Sequence, residues 1–561
     1  MGDNLLKKIQ EIGDGKGCNE EVKTFEEGDK VSDTSLEVSY RENVSKKKDH
    51  MLCVKQSSLI EVSADSSLTE AEVIKGDPVA TKLSLLRSTE SSAPADGVAP
   101  DLSKSSPRLK IAMLVVGTRG DVQPFVSVAK KLQEFGHHVR LATHINFSNF
   151  VKSAGVEFYP LGGDPRVLAG YMARNKGLPL APGELSIQRK QLEAIIETIL
   201  PACTEPDIKT GAPFRAQAII ANPPAYGQLH VAEALNVPLH ILFTVPWTPT
   251  YEFPHPIAHL PQSPGNRLSY IMVDLVIWWI IRGQINDIRN RILKLPPIPY
   301  FSTYYGSIYH LPTTYMWSRH VLPKPKDWGP EVDVVGYCFL NLGSKYQPQK
   351  DLVDWIKIGP RPIYVGFGSM LLDDSRKTTD IILEALKHTG QRAIIDRGWG
   401  DLGASSELPD NVFLLENCPH DWLFPQCSAV VHHGGGGTTA AGLRAGCPTT
   451  IVPFFGDQFF WGDRIYEKGL GPEPIPINQL TAEALSNAIR FMLQPEVKCR
   501  AMEIAQLIEN EDGAAAAVDA FHRHLPDELP VPPASSVQNV GPNLIQWFFV
   551  QMGTLCCQVC S

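Results

Sequence analysis

The chain has 561 residues, a formal net charge of −9, 43% hydrophobic residues and 20% charged residues. This length is too great for one ordinary core and predicts three or four units of roughly 150 residues, some of which need not fold. No dense block of Lys and Arg could neutralise a row of phosphates, so nucleic acid is not expected as a partner. The 11 scattered cysteines indicate neither a disulfide framework nor a zinc site.

Residues 1–107 differ in composition from the rest of the chain. Their only aromatic residues are Phe25 and Tyr40, and they contain long runs of Ser, Glu, Asp and Lys. Such a segment cannot bury enough apolar surface to offset its chain entropy, which predicts a disordered N-terminal tail. The first residues lack the apolar stretch of a signal peptide, so a cytoplasmic location is expected.

An α/β pattern begins after this tail. The apolar run at 110–117 predicts a buried parallel strand, because such strands are covered on both faces. Apolar residues at helical spacing follow from Val122 to Phe135, and Gly136 stands where a C-terminal cap is expected. Further strands at 139–143 and 156–161, around a helix at 147–154, complete a βαβαβ unit of a doubly wound sheet.

The region 245–340 is rich in Pro, Trp and Tyr and is predicted to be an insertion at a cleft between two sheets. Its most apolar segment, 268–281, is about 14 residues long and contains Asp274. A membrane-spanning helix needs roughly 20 apolar residues, so none is predicted. Trp278 and Trp279 beside Arg282 instead suit a helix that lies on a bilayer. The aromatic residues either line a pocket for a large, flat lipid or form an ordinary core; they are Trp247, Tyr251, Phe253, Trp278, Trp279 and Tyr315.

A second α/β pattern follows this region. A strand and turn are predicted at 362–370, and strands at 392–396, 412–415, 429–433 and 449–454. Helices are predicted at 379–389, up to Arg444, and from about Gln458. The fold class is therefore α/β, with two Rossmann-like, doubly wound domains that face a cleft.

The strongest functional signal is the run His-His-Gly-Gly-Gly-Gly-Thr-Thr at 432–439, between an apolar strand and a helix. Glycines let the backbone approach a ligand, and the N–H groups at a helix start favour an anion. The run lacks the Gly-Lys-Ser/Thr ending of a P-loop. It predicts a diphosphate cradle, and the alternative is a flexible strand-to-helix turn.

Asp457 and Gln458 follow the next predicted strand, within the run Pro-Phe-Phe-Gly-Asp-Gln. Their side chains offer acceptors and donors to sugar hydroxyls. An Asp-Gln pair alone is most often a helix cap. Beside the cradle, it predicts the sugar end of a nucleotide-sugar site.

Together these motifs resemble the GT-B glycosyltransferases. The segment 117–124 is similar to the amino-terminal signature of the sterol 3-β-glucosyltransferases and related antibiotic glycosyltransferases. Thr-Arg-Gly-Asp-Val-Gln-Pro, Pro-His-Asp-Trp-Leu-Phe, His-His-Gly-Gly and Gly-Asp-Gln occur in that family's order within about residues 109–525. The resemblance implies an inverting transfer of glucose from UDP-glucose to the 3β-hydroxyl of a membrane sterol.

The same resemblance implies a division of the chain and a set of site residues. An acceptor-binding domain is expected at 108–340, a nucleotide-sugar-binding domain at 341–525 and a C-terminal tail at 526–561. Thr118, Arg119 and Asp121 would approach the donor phosphates and the reacting centre. Cys418 and His420 would lie at the nucleoside edge, the diphosphate would be held by His433, Gly436, Gly437 and Thr438, and glucose by Asp457 and Gln458.

The transfer needs a stabilised leaving diphosphate and a deprotonated acceptor hydroxyl. No Asp-x-Asp occurs in the chain, so we expect no metal and no cofactor besides the co-substrate UDP-glucose. The helix start after Gly437, with His433 and Arg119, is expected to stabilise the diphosphate. Asp121 is the predicted general base, with a helix cap or a His-orienting group as alternatives, and the nearby Arg119 is expected to keep its pKa low.

Two other functions are compatible with these residues. One is a glycosyltransferase for another lipophilic alcohol, which would share every donor residue. The other is a catalytically silent module that binds a UDP-sugar or a lipid, and an Asp121 outside the cleft would favour it. For the glucosyltransferase, the expected partners are UDP-glucose, a sterol and, by peripheral contact, a membrane, since a sterol dissolves in a bilayer.

Overall fold

The structure, a computed structural model, describes residues 108–174, 182–258, 265–299, 310–404 and 407–529. The predicted N-terminal tail and all but the first four residues of the predicted C-terminal tail lie outside the described residues. Within the described part, two fully parallel sheets alternate with helices. The predicted α/β class with two Rossmann-like domains is confirmed.

The first sheet has seven strands in the order β3-β2-β1-β4-β5-β6-β7. Successive residues of β1 point to opposite faces, with Ala112 and Leu114 in one apolar core and Ile111 and Met113 in the other. This alternation explains why the strand is a continuous apolar run. The strands are β1 Lys110–Leu114, β2 His138–His144, β3 Glu157–Leu161, β4 Ala218–Ala221, β5 Leu239–Phe243, β6 Thr313–Tyr315 and β7 Val332–Val334.

Six helices of the described chain accompany this sheet. The first helix is capped at Thr118, whose backbone N–H donates a hydrogen bond to the Asp121 side chain. It ends before Gly136, which has a φ of +87°. Glycine adopts this left-handed conformation without strain, as the capping prediction required. The helices are α1 Arg119–Glu134, α2 Ser148–Ser153, α3 Pro165–Arg174, α4 Pro182–Thr204, α5 Gln228–Leu235 and α6 Asn266–Ile288.

The second sheet has five strands in the order β10-β9-β8-β11-β12. Its strands are β8 Ile363–Gly366, β9 Ala393–Asp396, β10 Val412–Leu415, β11 Ala429–His432 and β12 Thr449–Ile451. The helices around it are α7 Lys350–Lys357, α8 Ser375–Thr389, α9 His420–Leu423, α10 Gly436–Arg444, α11 Gln458–Glu467, α12 Ala482–Met492 and α13 Pro495–Glu509.

The last helix, α14 (Gly513–Arg523), returns to the first sheet. Val518 and Phe521 are buried in the same apolar core as Ile111 and Phe125, which belong to β1 and α1. Within the described residues, α14 therefore completes the core of the N-terminal half.

One expectation for the region 245–340 was wrong. The region is not simply an insertion, because β6 and β7 within it extend the first sheet. The apolar segment 268–281 lies within a longer helix, since α6 has 23 residues. By length and composition alone, Asn266–Leu293 is long and apolar enough to cross a membrane, although 33% of its most apolar window is buried inside the protein. Trp278 is buried and only Trp279 of that pair is exposed.

Candidate active site

The two signature turns lie where the strand order of each sheet reverses. In the first sheet β1 is flanked by β2 and β4, and the turn 115–118 follows β1. In the second sheet the order reverses between β8 and its neighbour β11, and the glycine turn 433–435 comes directly after β11. Ligands of doubly wound sheets bind at the carboxyl ends of the strands at such reversals. The carboxyl ends of the strands in both sheets therefore face one cleft.

The two turns approach each other closely across this cleft. A Cβ atom placed on Gly437 would lie 3.5 Å from the Cα atom of Gly120, so the first turns of α10 and α1 are neighbours. Each helix start carries a partial positive charge from its unpaired N–H groups. The start of α10 has no acidic residue in its first turn and favours an anion, whereas the start of α1 holds Asp121.

A cavity of about 1520 Å³ occupies the cleft. It is larger than the roughly 300–1,000 Å³ of an ordinary ligand pocket, which gives room for two substrates. All of the site residues implied by the sequence line this one cavity, namely Thr118, Arg119, Asp121, Cys418, His420, His433, Gly436, Gly437, Thr438, Asp457 and Gln458.

Asp121 lies in the first turn of α1 and faces the cavity. Its Oδ2 accepts hydrogen bonds from the Thr118 backbone N–H at 2.7 Å and from the Thr118 hydroxyl at 3.3 Å. Gly117 packs so closely on this carboxyl that any side chain there would overlap it, and its φ is +146°. Asp121 thus takes part in capping helix α1, which was the alternative to its role as base, and it also lines the cavity.

The expectation that Arg119 holds the pKa of Asp121 low was wrong. Loss of hydration raises the pKa of Asp121 to about 6, and the bonds from Thr118 offset only part of this rise. The Arg119 guanidinium lies 5.0 Å from the centre of the Phe150 ring. Its charge instead acts on His420, whose pKa falls to about 4, first through burial and then through Arg119.

His433 stands between β11 and the glycine turn. Burial lowers its pKa to about 4, so the imidazole is neutral at pH 7 in the empty cleft. Its Nδ1 is buried and has no hydrogen-bond partner among the described residues. A Cβ on Gly435 would lie 2.5 Å from its Nε2, so only glycine leaves room for the ring. The His433 ring therefore packs against Gly435, and its Nδ1 makes no hydrogen bond to the described residues.

Asp457 and Gln458 behave differently from each other. The Asp457 Oδ2 accepts a hydrogen bond from the Trp461 indole N–H at 3.0 Å. Gln458 uses its oxygen to accept from the backbone N–H groups of Phe454 and Phe455, and its amide nitrogen lies 3.3 Å from the sulfur of Met370. Gln458 therefore shapes the turn, whereas the Asp457 carboxyl lines the cavity beside Trp461.

Asp457 also interacts electrostatically with Asp121, which belongs to the other half of the chain. Its pKa is raised to about 7, first by burial and then by the negative charge of Asp121. This interaction brings the expected sugar-binding carboxyl and the expected base into one region of the cleft.

Two polar residues near the nucleoside edge, Tyr364 and Asp396, belong to none of the sequence motifs. The Tyr364 hydroxyl donates to the Asp396 Oδ2 at 3.0 Å and lies 3.3 Å from the His420 Nε2. Asp396 lines the cavity, and burial raises its pKa. Its place at the carboxyl end of β9 was the signal that could have identified it. The His420 ring is stacked on Phe424, with ring centroids 4.4 Å apart.

One wall of the cavity is mainly apolar. It comes mainly from α4 and α6, with Trp247 between β5 and α6. Phe253 and Tyr315 belong to the core instead, and Tyr251 is exposed. The apolar lining residues include Leu168, Leu192, Ile195, Trp247, Met272, Val273, Val276, Ile277 and Ile280. Such a surface fits a large apolar ligand.

In the described ranges, no group of three or more His, Cys, Asp and Glu side chains could hold a metal ion.

Two family models match the chain. The N-terminal domain of glycosyltransferase family 28 matches residues 111–254. The C-terminal domain described as erythromycin biosynthesis protein CIII-like matches residues 381–516.

The chain is also similar to curated proteins. It is 71% identical over 463 residues to sterol 3-beta-glucosyltransferase UGT80B1 of Arabidopsis thaliana, which covers 82% of this chain and 75% of that protein. It is 58% identical to UGT80A2 of the same plant, over 75% of this chain and 66% of that protein. Identity to the sterol 3-beta-glucosyltransferase of Yarrowia lipolytica is 35%, over 76% of this chain and 30% of that protein.

Two solved structures share the fold. The glycotransferase of kitacinnamycin superposes with a TM-score of 0.56 at 18% identity and covers 75% of this chain and 100% of its own. The calicheamicin glycosyltransferase CalG4 has a TM-score of 0.53 at 17% identity and covers 75% of this chain and 98% of its own. At this identity the likeness supports the fold alone.

Proposed function

Because the chain belongs to the sterol 3-beta-glucosyltransferase family, we propose that it moves glucose from UDP-glucose to the 3β-hydroxyl of a membrane sterol and releases UDP. One observation carries this proposal beyond family membership: a single cavity joins an anion-favouring edge of the second sheet to an apolar wall of the first half. Asp121 faces the same cavity.

The donor would be held by the second half of the chain. Its diphosphate would meet the start of α10 at Gly436 and Gly437, the Thr438 hydroxyl and the His433 ring. The Asp457 carboxyl would accept a hydrogen bond from a glucose hydroxyl. The nucleoside would lie toward His420 and Cys418, as the family resemblance implies.

Asp121 would act as the base. A carboxylate whose pKa is about 6 is still mostly ionised at pH 7 and accepts a proton more strongly than an ordinary Asp. As the sterol oxygen bonds to the anomeric carbon, its proton moves to Asp121 and the bond to the UDP oxygen breaks. Attack opposite the leaving group inverts the anomeric configuration.

The leaving diphosphate gains negative charge as its bond to glucose breaks. The start of α10 and the His433 ring would stabilise this charge, because fixed dipoles need no reorganisation during the reaction. A bound diphosphate would also raise the pKa of His433 above its value in the empty cleft. The proposed mechanism therefore uses no metal ion.

We also propose a cytoplasmic location with peripheral contact to a membrane. The cysteines in the described ranges are free thiols, which suits a reducing compartment. A sterol dissolves in a bilayer, so contact with the membrane would bring the acceptor to the cavity.

Incubation of the purified chain with radiolabelled UDP-glucose and a sterol tests the proposal. We expect a labelled β-linked steryl glucoside at equal rates in EDTA and in manganese. Label transferred only to other lipophilic alcohols from a mixed lipid extract would overturn the sterol assignment. UDP-glucose binding without any transfer would favour a silent binding module, and loss of activity in EDTA with recovery in manganese would overturn the metal-free mechanism.

A further inference from the structure

One side of α6 presents apolar residues to solvent. Within the described part of the chain, six of its apolar side chains are between 46% and 56% exposed. We call them the outer face of α6: Leu268, Ile271, Met272, Leu275, Val276 and Trp279. A contiguous apolar surface of this kind marks a binding surface rather than ordinary exposure.

The opposite side of α6 is fixed to the protein. Trp278, Ile281 and Ile285 are buried in the core that covers one side of the first sheet. A helix anchored along one side cannot be surrounded by lipid, so α6 would lie along a bilayer surface rather than cross it.

The outer face carries no charge over about 12 residues. Asp274 is the only charged residue between Leu268 and Trp279, and its Oδ2 is buried, away from this face. Its carboxyl receives a hydrogen bond from the Trp247 side chain, and burial raises its pKa to about 8, so it is mostly protonated at pH 7. At 1.5 Å per residue, the uncharged surface extends about 18 Å along the helix.

Basic residues stand at both ends of this uncharged stretch. Arg267 precedes it, with its guanidinium 5.2 Å from the centre of the Tyr251 ring, and Arg282 follows it. Long basic side chains and tryptophan at the borders of an apolar surface are typical of the level of lipid headgroups.

The outer face is continuous with the acceptor part of the cavity. Met272 and Val276 belong to the exposed face and also line the cavity, and the neighbouring Val273 and Ile277 line it as well. A ligand could therefore pass from the surface that α6 covers into the cavity without crossing water.

We propose that the outer face of α6 inserts into one leaflet of a lipid bilayer and that the acceptor enters the cavity from the bilayer past Met272 and Val276. This inference rests on the proposed function for the identity of the acceptor. Insertion itself does not depend on it. The partner is a lipid surface, because the face combines an uncharged apolar stretch, flanking arginines and a direct opening to a lipid-sized cavity.

Binding of the full chain to phosphatidylcholine vesicles that contain a sterol tests the insertion. The variants Leu275→Glu and Trp279→Glu change exposed residues that do not line the cavity. Ile358→Glu is the matched control, because Ile358 is 84% exposed and lies at the end of α7 in the other half of the chain. Sedimentation with vesicles measures binding, and glucosylation is measured with sterol in vesicles and with sterol carried by cyclodextrin.

We expect either outer-face variant to bind vesicles about tenfold or more weakly, since the interface loses an apolar side chain and gains a carboxylate. The rate with sterol in vesicles should fall by a similar factor, and the rate with cyclodextrin-borne sterol should stay unchanged. The Ile358→Glu variant should match the wild type in all three measurements.

Vesicle binding of the outer-face variants equal to that of the wild type would overturn the proposal. So would a wild-type chain that does not bind vesicles, or a dimer that dissociates in the variants while vesicle binding persists, because a second copy would then cover the face. If the wild type binds vesicles and the variants do not, but no sterol is glucosylated in either form, insertion stands and the proposed acceptor fails.

Discussion

Asp121 combines two structural tasks in one carboxyl group. One oxygen is hydrogen-bonded to the Thr118 backbone N–H and hydroxyl at the start of α1, and the group as a whole faces the cavity. The helix contact fixes the carboxyl in place, and loss of hydration raises its pKa to about 6. A carboxyl that is fixed in place and raised in pKa suits the proposed role of base.

Asp121→Asn separates the two tasks. The amide oxygen of Asn can still accept from Thr118, so helix α1 should form normally, but the side chain cannot take a proton. We expect kcat to fall by roughly two to four orders of magnitude, with UDP affinity measured by calorimetry almost unchanged. A near-normal kcat in this variant would assign the base to another residue.

The raised pKa of Asp121 also predicts a pH dependence. The base must be ionised, so protonation below its pKa removes activity. We expect kcat/KM to fall about tenfold for each pH unit below about pH 6 and to level off above it. An ordinary Asp would keep the enzyme active to about pH 4. A rate profile that remains flat between pH 6 and pH 4.5 would contradict the assignment.

His433→Ala tests the diphosphate side of the site. If the ring stabilises the charge that grows as UDP departs, as proposed, its loss should lower kcat tens- to hundreds-fold, which corresponds to roughly 2 to 4 kcal/mol. Asp457→Ala is the comparison, since it should mainly change KM and the preference for UDP-glucose over other UDP-hexoses. A His433→Ala variant with wild-type kcat would show that the ring does not contact the leaving group.

At the scale of elements, the glycine turn before α10 is shaped by the size of the His433 ring. Gly435 has a φ of −61°, which any residue adopts, so its backbone does not require glycine. The space does, because a Cβ there would lie 2.5 Å from the imidazole. The glycine run thus provides room for a histidine as well as for a ligand.

Gly435→Ala should therefore act through His433. We expect the ring to move and kcat to fall about tenfold or more, while the thermal midpoint changes little. Gly329→Ala is the control, because no atom lies within 4 Å of the added methyl group. Wild-type kcat in Gly435→Ala would mean that the position of the ring is not critical.

The elements differ in how well the sequence predicts them. β1, α1 and the second sheet follow from long apolar runs, helical spacing and glycine turns. β6 was not predicted because its three residues, Thr-Thr-Tyr, are too few to show a period. α6 extends seven residues beyond the predicted apolar segment, since Arg282 and its polar neighbours continue the helix without continuing the pattern.

The site shows a similar division. Motifs locate residues in the sequence, and the structure brings those residues to one cavity. The pKa of Asp121 could not be predicted, because its hydration depends on how the two halves close around the cleft. Trp461 and Asp396 were missed for a related reason: each acts through a contact with another residue, at Asp457 and at Tyr364, that no motif records.

At the scale of the molecule, two cores are shared between distant parts of the chain. Trp317, which follows β6, lies 5.8 Å from Trp461 of α11 between ring centroids. The C-terminal helix α14 packs on α1, and the His522 Nε2 lies 2.8 Å from the His137 Nε2. The halves of the molecule are therefore linked by packing at two separate places.

Phe521→Ala measures the contribution of α14. Phe521 is buried against the first sheet, so truncation to Ala should lower the free energy of unfolding by about 3 to 5 kcal/mol. Met502→Ala, at an exposed position of α13, is the control and should change it little. Thermal or denaturant unfolding measures both. Equal stability of the two variants would show that α14 is not part of the N-terminal core.

The return of α14 to the first sheet has a consequence for synthesis on the ribosome. The strands of the first sheet are complete once Val334 has emerged, but the residues that finish its core follow roughly 180 positions later. At 5–20 residues per second, this interval lasts about 10 to 40 seconds. During that time the nascent N-terminal half exposes the apolar surface that Val518 and Phe521 later cover, and it is then that a chaperone could bind it.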